Sequence, residues 1–331
     1  MTTILITGGS GFIGSHMSRY LCERYPQAQI INADAFTYAA RQPLWDDQPQ
    51  NFTNIRMDIR DQSAVRALFD EYRPTTVFHF AAESHVCRSI SGPKDFATTN
   101  MMGTFNLLEE ARKASFEGQF VHVSTDEVFG EAIEGKFSED SPYRPRSPYS
   151  ASKAASDLLV RAWRETYKLS AIVVNMSNVF GPNQHLEKLI PMAINRILNG
   201  KEVIVHGTGE NRREWLYVNR AVDAIDRTLR YPGEHFCLGG GVETSNIGMV
   251  RLLYDIIRQE VPELNLELKV KHTDDRPTDD RRYAIDCTKA QNYLQWDNGK
   301  ELFMENLKRT VQWYVHAILR SGGQTSHGWG G

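Results

Sequence analysis

The chain has 331 residues, a formal charge of −3, 41% apolar residues and 24% charged ones. That length can bury a sizeable core in one large α/β unit or two modest lobes, and so weak an acidic balance gives no basis for a nucleic-acid or anionic-membrane partner. No apolar run approaches the roughly 18 residues of a membrane span, and MTTILITGGSG lacks a secretory-signal pattern. Four cysteines (Cys22, Cys87, Cys237, Cys287) stand far apart, as reduced thiols do in a cytoplasmic protein. Ten histidines show no HxxxH or HExxH spacing, so no metal is expected.

In chain order, TILIT at Thr3–Thr7 predicts a buried strand ended by glycines. Gly9-Ser10-Gly11-Phe12-Ile13-Gly14 then fits G-x-G-x-x-G, and Gly8, Gly11 and Gly14 also fit G-x-x-G-x-x-G. A helix is expected over 13–24. Strand, glycine turn and helix together make a pyrophosphate cradle: glycine lets the backbone approach, and the helix N-terminus offers free N–H groups. A second strand over 30–33 leads to Asp34, 20 residues after Gly14. A carboxylate there can accept from ribose hydroxyls and would repel a 2′-phosphate, which favours NAD over NADP. Asp58 and Ile59, after a third strand, would meet the adenine edge, or Asp58 is a solvated turn acid. Helices over 64–72, 101–114 and 151–167 alternate with strands over 76–80, 120–124 and 171–175. Strands apolar on both faces, separated by helices, predict an α/β fold of the Rossmann type, a doubly wound parallel sheet.

The fifth of these strands runs into Ser124-Thr125-Asp126-Glu127. Neighbours on a strand point to opposite faces, so Asp126 and Glu127 share a pocket only if the strand ends there and the backbone turns. Two carboxyls in one enclosed site drive their pKa values apart, giving one acid and one base. The bland alternative is two solvated loop acids. Tyr149-Ser150-Ala151-Ser152-Lys153 is Y-x-x-x-K at a helix start, where positions i and i+4 share a face. The Lys153 ammonium is expected to lower the Tyr149 phenol toward the working range, making it a base for a hydroxyl proton. Thr125 can bond the same oxygen.

From about Asn178 the rhythm loosens. Only a short strand at Val203–His206 and a helix over 247–260 stand out, which predicts a smaller C-terminal lobe closing over the sheet's carboxyl edge. GGQTSHGWGG at 322–331 predicts a frayed tail.

TGGSGFIG, the Thr125 strand end and YSASK resemble, in order and spacing, the extended short-chain dehydrogenase/reductase family. The Thr125-Asp126-Glu127 stretch, with ADAFTYAA, FAAESHVCRSI, GPNQHLEKLIP, REWLYV and DDRPTDDRRYAID, is similar to the dTDP-glucose 4,6-dehydratases over most of the chain. The resemblance implies tightly bound NAD held by Gly8, Gly11, Phe12, Ile13, Gly14, Asp34, Thr37, Asp58, Ile59, Ala81, Ala82, Tyr149 and Lys153. It implies C4 oxidation by Tyr149 and Lys153 assisted by Thr125, Asp126 as the acid expelling the C6 hydroxyl, and Glu127 as the base at C5. Hydride then returns to C6, giving a 4-keto-6-deoxy sugar from dTDP-glucose or UDP-glucose. Ser84, Asn178, Lys188, Arg213, Asn246 and Arg276 would hold the nucleotide diphosphate hexose, the arginines by their planar forks; any one arginine could instead sit in a surface ion pair. Residues 1–177, with parts of 213–240, would form the NAD-binding domain and 178–331 mainly the substrate-binding lobe.

Five positions depart from the pattern: Cys87 for aspartate, Phe129 for tyrosine, Asn183 for tyrosine, and Thr278-Asp279 for Gly-His. They put the choice of nucleotide and sugar in question. A nucleotide-sugar 4-epimerase or decarboxylase of the same family is the alternative, since neither needs the Asp-Glu pair. A non-catalytic NAD-binding protein is a third reading, which the intact Tyr149/Lys153 pair opposes. Family members usually pair through two helices each, one of them starting at Y-x-x-x-K. Ala151, Ala154, Ala155, Leu158 and Leu159 permit such a homodimer, or the packing of this helix on its own sheet.

Overall fold

The computed structural model describes residues 2–41, 44, 45 and 47–320, and the expected tail lies outside the described residues. Twelve strands are described: β1 Thr3–Thr7, β2 Gln29–Asp34, β3 Phe52–Arg56, β4 Thr76–His79, β5 Gln119–Thr125, β6 Ala171–Met176, β7 Asn178–Phe180, β8 Val203–His206, β9 Arg212–Tyr217, β10 His235–Leu238, β11 Glu243–Ser245 and β12 Val270–Thr273. Seven make one sheet in the order β10-β6-β5-β4-β1-β2-β3, and every pairing in it is parallel. The order reverses between β1 and β4, the crevice where ligands bind in doubly wound sheets.

Period-two alternation divides each strand between two cores. Ile4, Ile6, Ile30, Phe78, Val121 and Ile172 face one side, against helices Phe12–Arg24 and Val218–Arg227. Leu5, Ile31, Val77, Phe120, Ala171 and Val173 face the other, against helices Gln62–Tyr72, Thr104–Lys113 and Pro148–Tyr167. With both faces covered, the strands read as unbroken apolar runs.

The sheet draws on more of the chain than its first half. β10 extends it beyond β6, and Cys287, Ala290, Leu294 and Trp296 return to the first core. β9, inside the 213–240 stretch, belongs instead to a three-stranded sheet β11-β9-β7, beside a two-stranded β12-β8. A separate core joins helices Leu189–Leu198, Asn246–Glu260 and Phe303–Arg320 through Ile194, Val250, Leu253, Leu307 and Val311. Among the described residues no helix is long and apolar enough to cross a membrane.

Candidate active site

The carboxyl ends of β1, β2, β4, β5 and β6 converge on two adjoining cavities that share Gly8, Gly11, Phe80 and Ala82. The glycine turn forms the floor. Gly8 has φ +74°, and a Cβ there would lie 2.6 Å from the Ala81 backbone. A Cβ on Gly14 would lie 2.2 Å from the Gly8 carbonyl. The turn therefore closes only with glycine, leaving the N-terminus of the following helix bare of side chains. Phe12 and Ile13 line the same cavity.

Asp34 ends β2 and accepts from Ser10 N–H at 2.9 Å and Phe36 N–H at 2.8 Å. Burial pushes its carboxyl up against those two bonds. Each oxygen keeps a further lone-pair site for a ribose hydroxyl. Thr37, Ala81, Ala82, Asp58 and Ile59 line the same cleft. Asp58 is gripped by the Arg60 guanidinium at 2.6 to 3.0 Å, which holds it below the usual range; Ile59 is buried in the core. Glycine approach, bare helix terminus and buried acid together fit a dinucleotide.

β5 ends at Thr125, and the chain turns at once into a 3₁₀ turn, Asp126–Phe129. Thr125 caps that turn, its Oγ1 accepting from Glu127 N–H at 3.2 Å. The turn aims Asp126 and Glu127 into one cavity with Thr125, Tyr149 and Lys153. Their surroundings differ. Asp126 is 2% exposed and its Oδ2 has no hydrogen-bond partner. Burial, then Glu127 and Glu214, drive its carboxyl far up. Glu127 is half-buried. Burial raises it too, but Arg213, Lys188 and Arg276 pull it back toward the carboxylate.

Tyr149 is the second residue of the helix Pro148–Tyr167, which opens with a capping box: Ser147 and Ser150 exchange side-chain to N–H bonds at 3.0 Å. Thr125 lines the same cavity and acts to lower the phenol. The expectation that Lys153 lowers this phenol is corrected: burial and the charges of Glu127 and Asp126 outweigh any opposing effect and push it up. The Lys153 ammonium instead donates to the Val123 carbonyl at 2.8 Å and lies 3.5 Å from His122 Nε2. Burial lowers it to about 8, with Asp157 opposing. Asp157 accepts from Ser124, Tyr143 and Asn175 and lies 3.1 Å from His122.

A third cavity continues past Glu127 and is lined by all six expected substrate residues: Ser84, Asn178, Lys188, Arg213, Asn246 and Arg276. Ser84, Asn178 and Lys188 also line the cavity holding Tyr149, so the two are continuous. The Lys188 ammonium donates to the Ser84 carbonyl at 2.9 Å. Asp279 sits between the arginines, accepting from Arg213 at 3.0 Å, Arg276 at 2.9 Å and Asn211 at 3.0 Å. Arg213 also donates to the Asp280 carbonyl and lies over the Tyr283 ring. Cys87 lines this cavity beside Arg276. Phe129 is buried and stacks on Phe137. Asn183 donates to Ser15 at 3.0 Å, tying its loop to the glycine-turn helix.

The sequence reading missed one cluster. The Arg88 guanidinium lies 3.7 Å over the Tyr38 ring and 3.7 Å from Glu187. Glu187 also approaches His85 and His185. Arg88, Tyr38 and Glu83 line the cleft with Asp34. No local spacing announces it, because its members lie some 50 to 100 residues apart, Tyr38 and Glu187 on loops and Arg88 on the short helix Val86–Ser91.

The GDP-mannose 4,6 dehydratase family model matches residues 5–309. The dTDP-glucose 4,6-dehydratase of Haemophilus influenzae is 41% identical over 336 residues, spanning 95% of this chain and 98% of its own. Among solved structures, the dTDP-glucose 4,6-dehydratase of Streptomyces venezuelae with NAD bound is 37% identical, with a TM-score of 0.89 over 96% of this chain and 98% of that one. The UDP-glucose 4-epimerase of Thermotoga maritima is 28% identical, with a TM-score of 0.87 over 96% of this chain and 100% of that one. A family match across most of the sequence, with relatives aligned over nearly their whole length, means that the chain belongs to the GDP-mannose 4,6 dehydratase family, within the extended short-chain dehydrogenase/reductases.

Proposed function

We propose that this chain is an NAD-dependent hydro-lyase that converts dTDP-glucose to dTDP-4-keto-6-deoxyglucose. One observation carries the reading: at the end of β5, Asp126 is buried and driven toward the protonated form while its neighbour Glu127 faces three cations. An epimerase needs no such acid–base pair. NAD⁺, when bound, takes the C4 hydride and returns it to C6. Gly8, Gly11, Phe12, Ile13 and Gly14 would hold its pyrophosphate, and Asp34 with Thr37 its adenosine ribose. Asp58, Ile59, Ala81 and Ala82 would line the rest of its cleft.

Tyr149, acting as phenolate, removes the O4 proton as hydride leaves C4 and so becomes the phenol, with Thr125 beside it in the cavity. The resulting ketone acidifies C5–H, and Glu127 takes that proton. Asp126 protonates the C6 hydroxyl, which leaves as water. Lys153 supplies positive charge to the cavity that holds the phenol. Ser84, Asn178, Lys188, Arg213, Asn246 and Arg276 would bind the nucleotide diphosphate. Arg276 is the freer fork, since Arg213 has more of its donors engaged within the protein. Residues 1–177, with parts of 213–240, serve NAD, and the rest mainly the sugar nucleotide.

The test is incubation with dTDP-, UDP-, CDP- and GDP-glucose, reading product mass and the alkaline absorbance of the ketone. Loss of one water from dTDP-glucose is expected; no 4-keto product from any of the four rejects the reading. Glu127→Gln should cut water loss by about 10²-fold or more, while NADH absorbance still rises on mixing with substrate.

We also infer a homodimer. Leu158 and Met102 are 54% and 44% exposed, and Ala151 is exposed too, on or beside the helix that carries Tyr149. Apolar side chains on that outer face suit a second copy of the chain.

A further inference from the structure

Dehydration leaves the C4 oxygen as a ketone, and this decides where protons end. O4–H, C4–H, C5–H and C6–O break; C4=O, C6–H, a new C5–H and an H–OH bond form. C4 loses two electrons and C6 gains two, so the hydride cancels within the turnover. The Glu127 proton cancels as well, because C5 takes it back. The other two do not. Tyr149 keeps the O4 proton, which the ketone never reclaims, and Asp126 has lost its own to water. Each turnover therefore ends with the phenol one proton up and the carboxyl one proton down.

One side chain, Thr125, bears on both groups. Thr125 Oγ1 lies 3.4 Å from Asp126 Oδ1. The same oxygen accepts from Glu127 N–H at 3.2 Å, and the Thr125 side chain lines one cavity with the Tyr149 phenol, where it acts to lower it. A hydroxyl has one proton to donate and two acceptor sites. With Glu127 N–H on one acceptor site, the other is left for the phenol proton, and the hydroxyl proton points at Asp126. All three residues are less than a tenth exposed.

We propose that Thr125 returns the proton from Tyr149 to Asp126 between turnovers, accepting the phenol proton and releasing its own to Asp126 Oδ1. The proposal rests on the dehydration reading above. The 3.4 Å contact must tighten by a few tenths of an ångström and the Tyr149 hydroxyl must close on Thr125 Oγ1, as catalytic hydrogen bonds do when a site fills.

The test is rapid-quench measurement of product per active site at saturating dTDP-glucose, for wild type, Thr125→Val and Thr125→Ser. The valine variant should form close to one equivalent of 4-keto product per site and then continue at least tenfold more slowly. Serine, which keeps the hydroxyl, should restore unbroken turnover. Imidazole buffer should speed the slow phase of the valine variant and leave wild type unchanged. An equal fall in the first and later turnovers of the valine variant overturns the proposal, because solvent then resets the site. A serine variant that stalls like valine overturns it too. Wild type that makes no product in its first turnover rejects the dehydratase reading and the bridge with it, whereas a failed bridge alone leaves the first-turnover product intact.

Discussion

Lys153 carries the heaviest burden of any single side chain in the site. Its ammonium is buried, held to about 8 from 10.5, and bonded to a carbonyl with no carboxylate in direct contact. A charge kept under such conditions costs stability. Lys153→Met should therefore stabilise the fold by about 1–3 kcal/mol at pH 7, within the range that such a shift implies, while lowering turnover at least 10²-fold. The sign follows from proton uptake. Between pH 8 and 10.5 the unfolded chain still holds the proton that the folded lysine has shed, so wild type gains stability there and the methionine variant does not. Denaturation midpoints of both proteins at pH 7 and pH 9 would show the gap narrowing, and an unchanged gap would refute the account. Residue types at fixed spacing made Tyr149, Lys153, Asp126 and Glu127 readable, because adjacency and i,i+4 geometry are local. The partners that tune them were not readable. Val123 holds the lysine from 30 residues away, and Asp279 binds Arg213 from 66 residues away.

Among the elements, the helix Pro148–Tyr167 shows how capping positions chemistry. Tyr149 is its second residue, so the Ser147–Ser150 box fixes the phenol as well as the helix start. Ser147→Ala should cost about 1 kcal/mol and lower Tm by roughly 2–4 °C. It should also reduce kcat more than it raises KM, because the displaced group acts in chemistry rather than in binding. Melting curves with steady-state kinetics would check both. Strands β1 and β8 matched their predicted bounds, since apolar runs between turn formers leave little choice. β3 was harder to delimit: FTNIR buries only Phe52 at the sheet's edge and mixes polar with apolar types. The helix predicted at 101 begins instead as a π-helical turn, Ala97–Gly103. Within it Asn100 bonds both backbone groups of Glu83 and the Ser152 hydroxyl, a purpose that helical periodicity does not reveal.

Across the whole molecule, the cofactor cleft and the substrate cavity meet at the Arg88–Tyr38–Glu187 cluster. Lys188 and Asn183 add cross-links from the same loop to Ser84 and Ser15. Arg88→Ala removes a cation from the Tyr38 ring and from Glu187. NAD should then leave about tenfold faster, the equivalent of ~1.4 kcal/mol, as measured by cofactor retained through timed dialysis. A rate equal to wild type would show that the cluster does not hold the cleft shut. At the outer face, Leu158→Glu should convert the proposed homodimer to monomer in sedimentation, with the catalytic groups untouched.

The seven-stranded sheet has a temporal consequence. Its outermost strand comes from residues 235–238, and part of its first core from 287–296. As a ribosome delivers the chain, β6 emerges with a naked edge and waits some 60 residues for its neighbour. The nucleotide half cannot finish before most of the polypeptide has been made. Nascent chains stopped near residue 230 should therefore stay protease-sensitive and prone to associate through that edge, and a long pause in translation there should lower the yield of native enzyme.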